Sequence, residues 1–456
     1  MTPRIVSLTL AEITTTGNRA AGRLRRILGV GFDLAVIIGA TIGIGILRTP
    51  GLVAGQLHVP GTILLVWLAG GLFSLLSAIC LTELGTMIPH AGGFYVYARR
   101  AFGDWVGFGI GWNDWIAYAT SLSYISIGMS EFLGKLVPPL AGHVRPVAVA
   151  LLVGFVVLQW AGVRVSSWFQ SWTTALKCLA FLALVAVGLA MSGGAPDAAP
   201  AAASASPTLI GLVVALQAVV STYGGWQSAL YFTEEDRDPV RNLPRAMIGG
   251  VLVVIVIYML VNVAFLVILP IPELSASKLP AADAAQVIVG DRGRQIILIL
   301  SILSLLPLLN AIMMIGTRIL FALGRDRLFW SRAAGVSARG TPGVATLVTT
   351  LVAIALIATG TFEQLIAMTT VFLALNYAVC CLALFALRRR EPASVRPFRA
   401  WGYPWSAAIV LAGALALLAG ALIADMTSAL EGTGLLAIGL VGHAVHRRVR
   451  RNAPAS

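Results

Sequence analysis

The sequence predicts an all-α polytopic membrane protein of twelve transmembrane helices. Of its 456 residues, 58% are hydrophobic and only 11% charged, with a mean hydropathy of +0.89, whereas soluble proteins carry about 25% charged residues. Windows long enough to cross about 30 Å of hydrocarbon recur along the whole chain. Two of them are interrupted at mid-span by glycine clusters in matching positions. Such a composition excludes a disordered chain, a secreted domain and a cytosolic enzyme alike.

Taken in order, the windows bounded by charge, Pro or Gly run 30–57, 61–88, 105–133, 146–163, 171–191, 207–233, 245–269, 293–322, 342–360, 362–387, 403–424 and 428–446. The short alternating segments of a β-barrel are absent. The expected organisation is a cytoplasmic tail over 1–29 and five spans over 30–191. A linker of Ala, Pro and Ser follows over 192–206, then five spans over 207–387, a loop with two further spans over 388–446, and a cytoplasmic tail over 447–456. The tail before the first span carries Arg4, Arg19, Arg23, Arg25 and Arg26, but no small-residue cleavage site follows it, unlike a removable signal peptide.

A net charge of +13 does not indicate nucleic acid, because the basic residues recur in short clusters rather than forming one patch. They set topology instead. With the N-terminus inside and each cation assigned to its nearer face, 25 Lys and Arg fall inside and 6 outside, leaving Lys177 within a span. That asymmetry fixes both termini in the cytoplasm. Cys80, Cys178, Cys380 and Cys381 lie in apolar stretches and form no disulfide framework. The five histidines are His58, His90, His143, His443 and His446; none is mid-membrane, and no HExxH or P-loop occurs. No metal, cofactor or catalytic constellation is expected. Ala-, Gly- and Arg-rich usage suggests a high-GC bacterium and its inner membrane.

The first span contains Gly39, Gly43 and Gly45 within seven residues, and the sixth contains Ser221-Thr-Tyr-Gly224-Gly225-Trp226. Each mid-helix Gly weakens the helix by up to about 1 kcal/mol relative to Ala. Small residues also let helices approach closely, but packing alone does not place both clusters at the first position of two five-helix units, about 180 residues apart. Paired interruptions of this kind point to an inverted-repeat transporter with a midplane site. A carboxylate can sit at the positive N-terminus of the second half of span one, and an ammonium group at carbonyls freed by unwinding.

On these residues the chain resembles the amino acid, polyamine and organocation (APC) permease superfamily, most closely its L-amino-acid transporter branch. The resemblance covers nearly the whole chain through six motifs in order: GATIGIGILRTPG in span one, TELGTMIPHAGGFYVYARRAFG at 82–103, TTALKCLAF in span five, STYGGWQSALYFTEEDRDPVRNLPRA at 221–246, LNAIMMIGTRILFALGRDRLF at 309–329 and RRREPASVRPFRAWGYPW at 388–405. It implies a LeuT-like five-plus-five inverted repeat with helices 1 and 6 broken, plus two C-terminal helices. It also implies secondary active transport of an amino acid by alternating access, driven by a proton or by amino acid exchange. The alternatives are a polyamine or other organic amine carried by the same fold, and a transporter-like amino acid sensor. The implied contacts are the N–H groups of Gly43, Ile44 and Gly45 for the α-carboxylate, and the carbonyls of Thr41, Ser221 and Gly224 for the α-ammonium. Gly225 completes the second break, and Asn376 lies in the region of span ten that lines the side-chain pocket in relatives.

Two residues depart from the family pattern. Ile44 replaces a frequent hydroxyl residue, and Ser221 stands where many relatives carry an aromatic gate, so that either occlusion shifts to Tyr223 or Trp226 or the pocket admits a bulkier side chain. The external loop from Leu133 to Pro146 lacks the cysteine by which the family's animal members join an accessory glycoprotein, so no disulfide-linked partner is expected.

Ionisable residues inside the membrane are costly and mark functional positions by default. Lys177, about six residues into the fifth window, either snorkels to the headgroups or, by the resemblance, replaces the charge of a sodium ion near the first break. The second reading makes transport sodium-independent and Lys177 a candidate proton carrier. Asp114 is either a proton or counter-charge site or a hydrogen-bond acceptor between helices. Glu83 is expected to pair with the Arg99/Arg100 loop and Asn310 to serve packing. The run Glu234 to Arg245 is either a solvated loop or part of a gate pairing with Arg99, Arg100 or Arg325.

Overall fold

The computed structural model describes residues 24–191, 208–290 and 292–452; the expected linker and most of the N-terminal tail lie outside that range. Among the described residues sixteen α-helices are formed: α1 (Val30–Thr41), α2 (Gly45–Leu57), α3 (Pro60–Met87), α4 (Phe94–Phe102), α5 (Asp104–Leu136), α6 (Val144–Trp160), α7 (Val163–Met191) and α8 (Leu209–Thr222), then α9 (Pro239–Ile268), α10 (Ile271–Ala276), α11 (Pro280–Val289), α12 (Arg292–Arg325), α13 (Gly343–Thr359), α14 (Phe362–Arg390), α15 (Trp405–Ala424) and α16 (Met426–Asn452). Three short 3₁₀ segments join them, at Pro138–Leu140, Trp226–Tyr231 and Ser331–Ala334. No strand forms among the described residues. Only one isolated bridge occurs, between Leu28 and Asp236.

Among the described residues, seven stretches are long and apolar enough to cross a membrane: α3, α7, α8 with the 3₁₀ turn after it, α9, α12, α14 and α15; α1 and α2, bent by 46° at their junction, add an eighth. α6 and α13 are shorter apolar helices of 17 residues each. α5 is not among these spans, since it carries Asn113, Asp114 and a run of Ser and Thr. Those polar side chains are hidden in the bundle, while Trp168, Leu209, Ile210 and Ile423 lie exposed on its outside, as expected where the surrounding medium is hydrocarbon. The protein is therefore multi-pass and helical.

Helix starts follow the local sequence. Pro60 and Pro239 occupy first-turn positions where the missing N–H costs nothing. Thr361 and Gln364 form a reciprocal capping box at α14. Four helices depart from the sequence expectation. The Arg99/Arg100 loop is helical, forming α4, and the connection between α9 and α12 folds into α10 and α11; both were too short to register as apolar windows. α7 begins at Val163, so Lys177 lies fourteen residues into it rather than six.

At the core, α1 packs on α7 and α9, α12 on α5, and α9 on α3. The segments flanking the two breaks are tied together: Leu28 donates its N–H to the Glu235 carbonyl at 3.0 Å, and Arg237 donates to Leu28 at 3.1 Å.

Candidate functional site

The first interruption is a real loss of helix. α1 stops at Thr41 and Ile42 turns extended, with φ −76° and ψ 98°, before α2 starts at Gly45. The glycines divide the labour. A Cβ on Gly39 would stand 2.4 Å from Thr174 Oγ1 on α7, so Gly39 serves close helix approach; on Gly43 it would meet only Leu308, at 3.5 Å. Gly43 therefore bares backbone rather than relieving crowding. At the start of α2 the N–H groups of Gly43, Ile44 and Gly45 have no intrahelical acceptor, and no side chain caps the end.

The second interruption follows Thr222. Gly225 holds φ +123°, a conformation that favours glycine, and the chain continues as 3₁₀ from Trp226. The two breaks touch. Tyr258 on α9 donates its hydroxyl to the Thr41 carbonyl at 2.8 Å and to the Thr222 carbonyl at 3.2 Å, while the Thr49 and Thr222 hydroxyls meet at 2.8 Å.

Between them lies a cavity of about 430 Å³, within the roughly 300–1,000 Å³ usual for small-molecule sites. Thr41, Gly43, Ile44, Gly45, Ser221, Gly224 and Gly225 all line it, so seven of the sequence-derived positions converge there. Its far walls are Tyr118, Ser121 and Tyr124 from α5, Leu308 and Ile312 from α12, and Phe362 and Ile366 from α14. A side chamber of about 150 Å³ shares Ser221 and Gly224 with it and adds Ser74, Trp226, Thr369, Thr370 and Tyr377.

Tyr223 is not among the lining residues. It is buried against Trp67 and Tyr258, with ring centroids 6.0 and 4.9 Å away, because the helical turn at Thr222 rotates it towards α3. Trp226 lines the side chamber instead, stacked on Tyr377 at 5.5 Å. Asn376 also lies off the cavity: its side chain donates to Asp114 at 2.8 Å and accepts from Asn113 at 2.8 Å, and the next residue, Tyr377, faces the chamber. Asp114 accepts from the Tyr231 hydroxyl as well, at 2.9 Å. Tyr118, one turn further along α5, lines the cavity, and its ring contacts that of Tyr231 at 5.4 Å.

Lys177 is fully buried and donates to the carbonyls of Gly39, at 2.8 Å, and Ile42. Snorkelling is thereby excluded. The ammonium occupies the carbonyl cluster that the first break exposes, joined there by the Ser304 hydroxyl on Ile42 at 3.3 Å. Asn310 accepts from Gln159 at 2.9 Å and donates to Gln170 at 2.8 Å, a tie among α6, α7 and α12.

A cluster of ion pairs joins α4, α5, α12 and the segment after the second break. Arg325 pairs with Glu234 at 2.6 Å, and Arg99 pairs with Asp326 at 2.7 Å and Asp104 at 2.8 Å. Arg100 turns instead to Glu391 at 2.7 Å, and its hydrogen bonds hold that carboxyl below the usual carboxylate range. Glu83 does not meet the Arg99/Arg100 segment as expected: Arg388 at 2.5 Å, Arg396 at 3.2 Å and the Ala400 N–H at 2.7 Å surround it, since α3 ends beside the loop after α14.

Sequence reasoning missed Arg318 by assigning it to a loop. It is buried in α12 and forms a two-pronged pair with Glu235, at 2.8 and 3.1 Å, over the Phe232 ring. Its position one turn inside the eighth window was the available signal. Glu235→Gln is expected to destabilise the protein by about 3–5 kcal/mol because it strands a buried guanidinium, whereas the double variant Glu235→Gln/Arg318→Met costs less. Denaturant unfolding in detergent measures both, and equal or greater loss in the double variant contradicts the assignment.

A multi-pass helical bundle whose cavity lies between two helix breaks has the architecture of a membrane permease. The chain belongs to the amino acid permease family, whose model matches residues 34–438, within the APC superfamily. It is similar to a serine/threonine exchanger of Bacillus subtilis (strain 168), 28% identical over 94% of this chain and 98% of the relative. It is also similar to the human b(0,+)-type amino acid transporter 1, 27% identical over 82% and 79%, and to the human Asc-type amino acid transporter 1, 29% identical over 85% and 76%. The family and these relatives are transporters, and the protein is not an enzyme.

Proposed function

We propose that the protein is a secondary transporter that moves an amino acid across the cytoplasmic membrane by alternating access. Its twelve spans are α1 with α2, α3, α5, α6, α7, α8 with its 3₁₀ turn, α9, α12, α13, α14, α15 and α16. The first ten form two inverted five-span repeats, and both termini are cytoplasmic. The observation that carries this reading is the convergence of both helix breaks on one cavity. The α-carboxylate is taken by the N–H groups of Gly43, Ile44 and Gly45, reinforced by the α2 dipole. The α-ammonium is taken by the carbonyls of Thr41, Ser221 and Gly224; that of Thr41 already accepts one bond, from Tyr258, and retains a second lone pair, while that of Ser221 exchanges one of its backbone partners, Tyr223 and Gly224, for the ammonium.

In this reading the cavity opens outward beside Arg48 and Phe362 while the Arg325–Glu234 and Arg99–Asp326 pairs close the cytoplasmic side. Those pairs break when the mouth inverts. The resident ammonium of Lys177 makes transport sodium-independent, with exchange or a proton supplying the driving force; the exchanger among the relatives favours exchange. In proteoliposomes, labelled L-serine uptake is expected to persist when choline replaces sodium and to rise severalfold when unlabelled amino acid is loaded inside. Uptake that requires a sodium gradient overturns the coupling, and binding without any uptake indicates a sensor instead.

A further inference from the structure

Among the described residues, one charged side chain lines the cavity, and it is a cation. We propose that Arg48 is a charge filter at the outer rim of the cavity, admitting zwitterionic and dicarboxylic amino acids and rejecting those with a cationic side chain. This rests on the transporter reading and specifies its substrate class.

Arg48 follows Gly45 by three residues on α2, one turn further towards the mouth. Gly45, Arg48 and Thr49 all line the cavity, placing the guanidinium on the same wall as the start of α2. Its charge adds to the positive end of the α2 dipole. No carboxylate answers it: Arg48 makes no ion pair among the described residues. Its guanidinium lies instead 5.9 Å from the centre of the Phe132 ring, and Lys135 lies 5.8 Å from the same ring. Two cations therefore share one aromatic at the mouth. Asp114, buried on α5, is engaged by Tyr231 and Asn376. Hydroxyls, among them those of Thr41, Thr49 and Ser121, and the amide of Gln227 supply the remaining side-chain polarity. A like charge within about 8 Å at an effective dielectric of about 20 yields discrimination on the order of tenfold or more.

L-Lysine, L-glutamine and L-glutamate have equal numbers of side-chain heavy atoms and differ in charge, so binding of the three to the purified protein by thermal shift separates charge from size. Glutamine is expected to bind at least about tenfold tighter than lysine, with glutamate no weaker than glutamine. Arg48→Gln brings the lysine-to-glutamine affinity ratio to within about threefold, while Arg48→Lys preserves the discrimination. On the wild-type protein the ratio also narrows as salt rises, because the screening length falls from about 10 Å at 0.1 M to about 3 Å at 1 M, which decides the matter even if a variant misfolds. Lysine binding as tightly as glutamine, or a ratio indifferent to both Arg48→Gln and salt, overturns the filter. If L-serine binds but none of the three does, size rather than charge sets the limit and the filter falls while the transporter reading stands. If no amino acid binds, both fail.

Discussion

Gly225→Val is expected to abolish amino acid binding and uptake. A Cβ at this position would lie 2.6 Å from the Ala40 carbonyl oxygen and 2.7 Å from the Thr41 nitrogen, and its φ of +123° is one that a β-branched residue resists. The opposing atoms are backbone, so relief requires the end of α1 to move away from the second break. Strain and overpacking each cost about 1–3 kcal/mol, enough to separate two segments whose contact makes the cavity. Thermal shift reads the result directly: a ligand at 100 Kd adds about 2.7 kcal/mol to the wild-type protein and nothing to the variant. Gly43→Val provides the complementary case. Its Cβ would meet only Leu308 at an ordinary 3.5 Å, so the bundle should assemble normally while the new side chain covers the bared N–H groups. Wild-type binding in both variants removes the site from this part of the fold.

Lys177→Met should reduce uptake by at least tenfold. The ammonium donates to the Gly39 and Ile42 carbonyls, of which Ile42 alone keeps a second donor, the Ser304 hydroxyl, and a buried acceptor left unpaired costs about 1–3 kcal/mol. A loss of 1.4 kcal/mol from the transporting conformation corresponds to about tenfold in rate. The smaller variant Lys177→Ala leaves room beside the same carbonyls, and partial recovery of its uptake in sodium, but not in choline, would show the ammonium standing in a cation's place. Uptake at the wild-type level in Lys177→Met would reduce the residue to a packing element. Initial rates in proteoliposomes of matched protein content decide between them.

Much of the membrane architecture was legible because hydrocarbon leaves few options for an apolar chain. The window at 61–88 became α3 at Pro60–Met87, and that at 342–360 became α13 at Gly343–Thr359. Gly43 and Gly225 announced the breaks by composition. α4 and α11 were not announced, because short amphipathic or Ala-rich helices at the ends of a bundle leave no long apolar window.

The sequence by itself determined that the chain is helical and multi-pass, where its helices lose their regularity, and that a lysine lies within the bilayer; each follows from local composition and the length of a span. Tertiary structure decided the neighbours. It turned Tyr223 towards Trp67 and Trp226 towards the side chamber, separated Asn376 from the cavity by one residue, gave Glu83 to Arg388 and Arg396, and enclosed Arg318 with Glu235. Such pairings join residues dozens to hundreds of positions apart, and the direction of a side chain after a helix break depends on the rotation of the broken turn, which no linear pattern encodes.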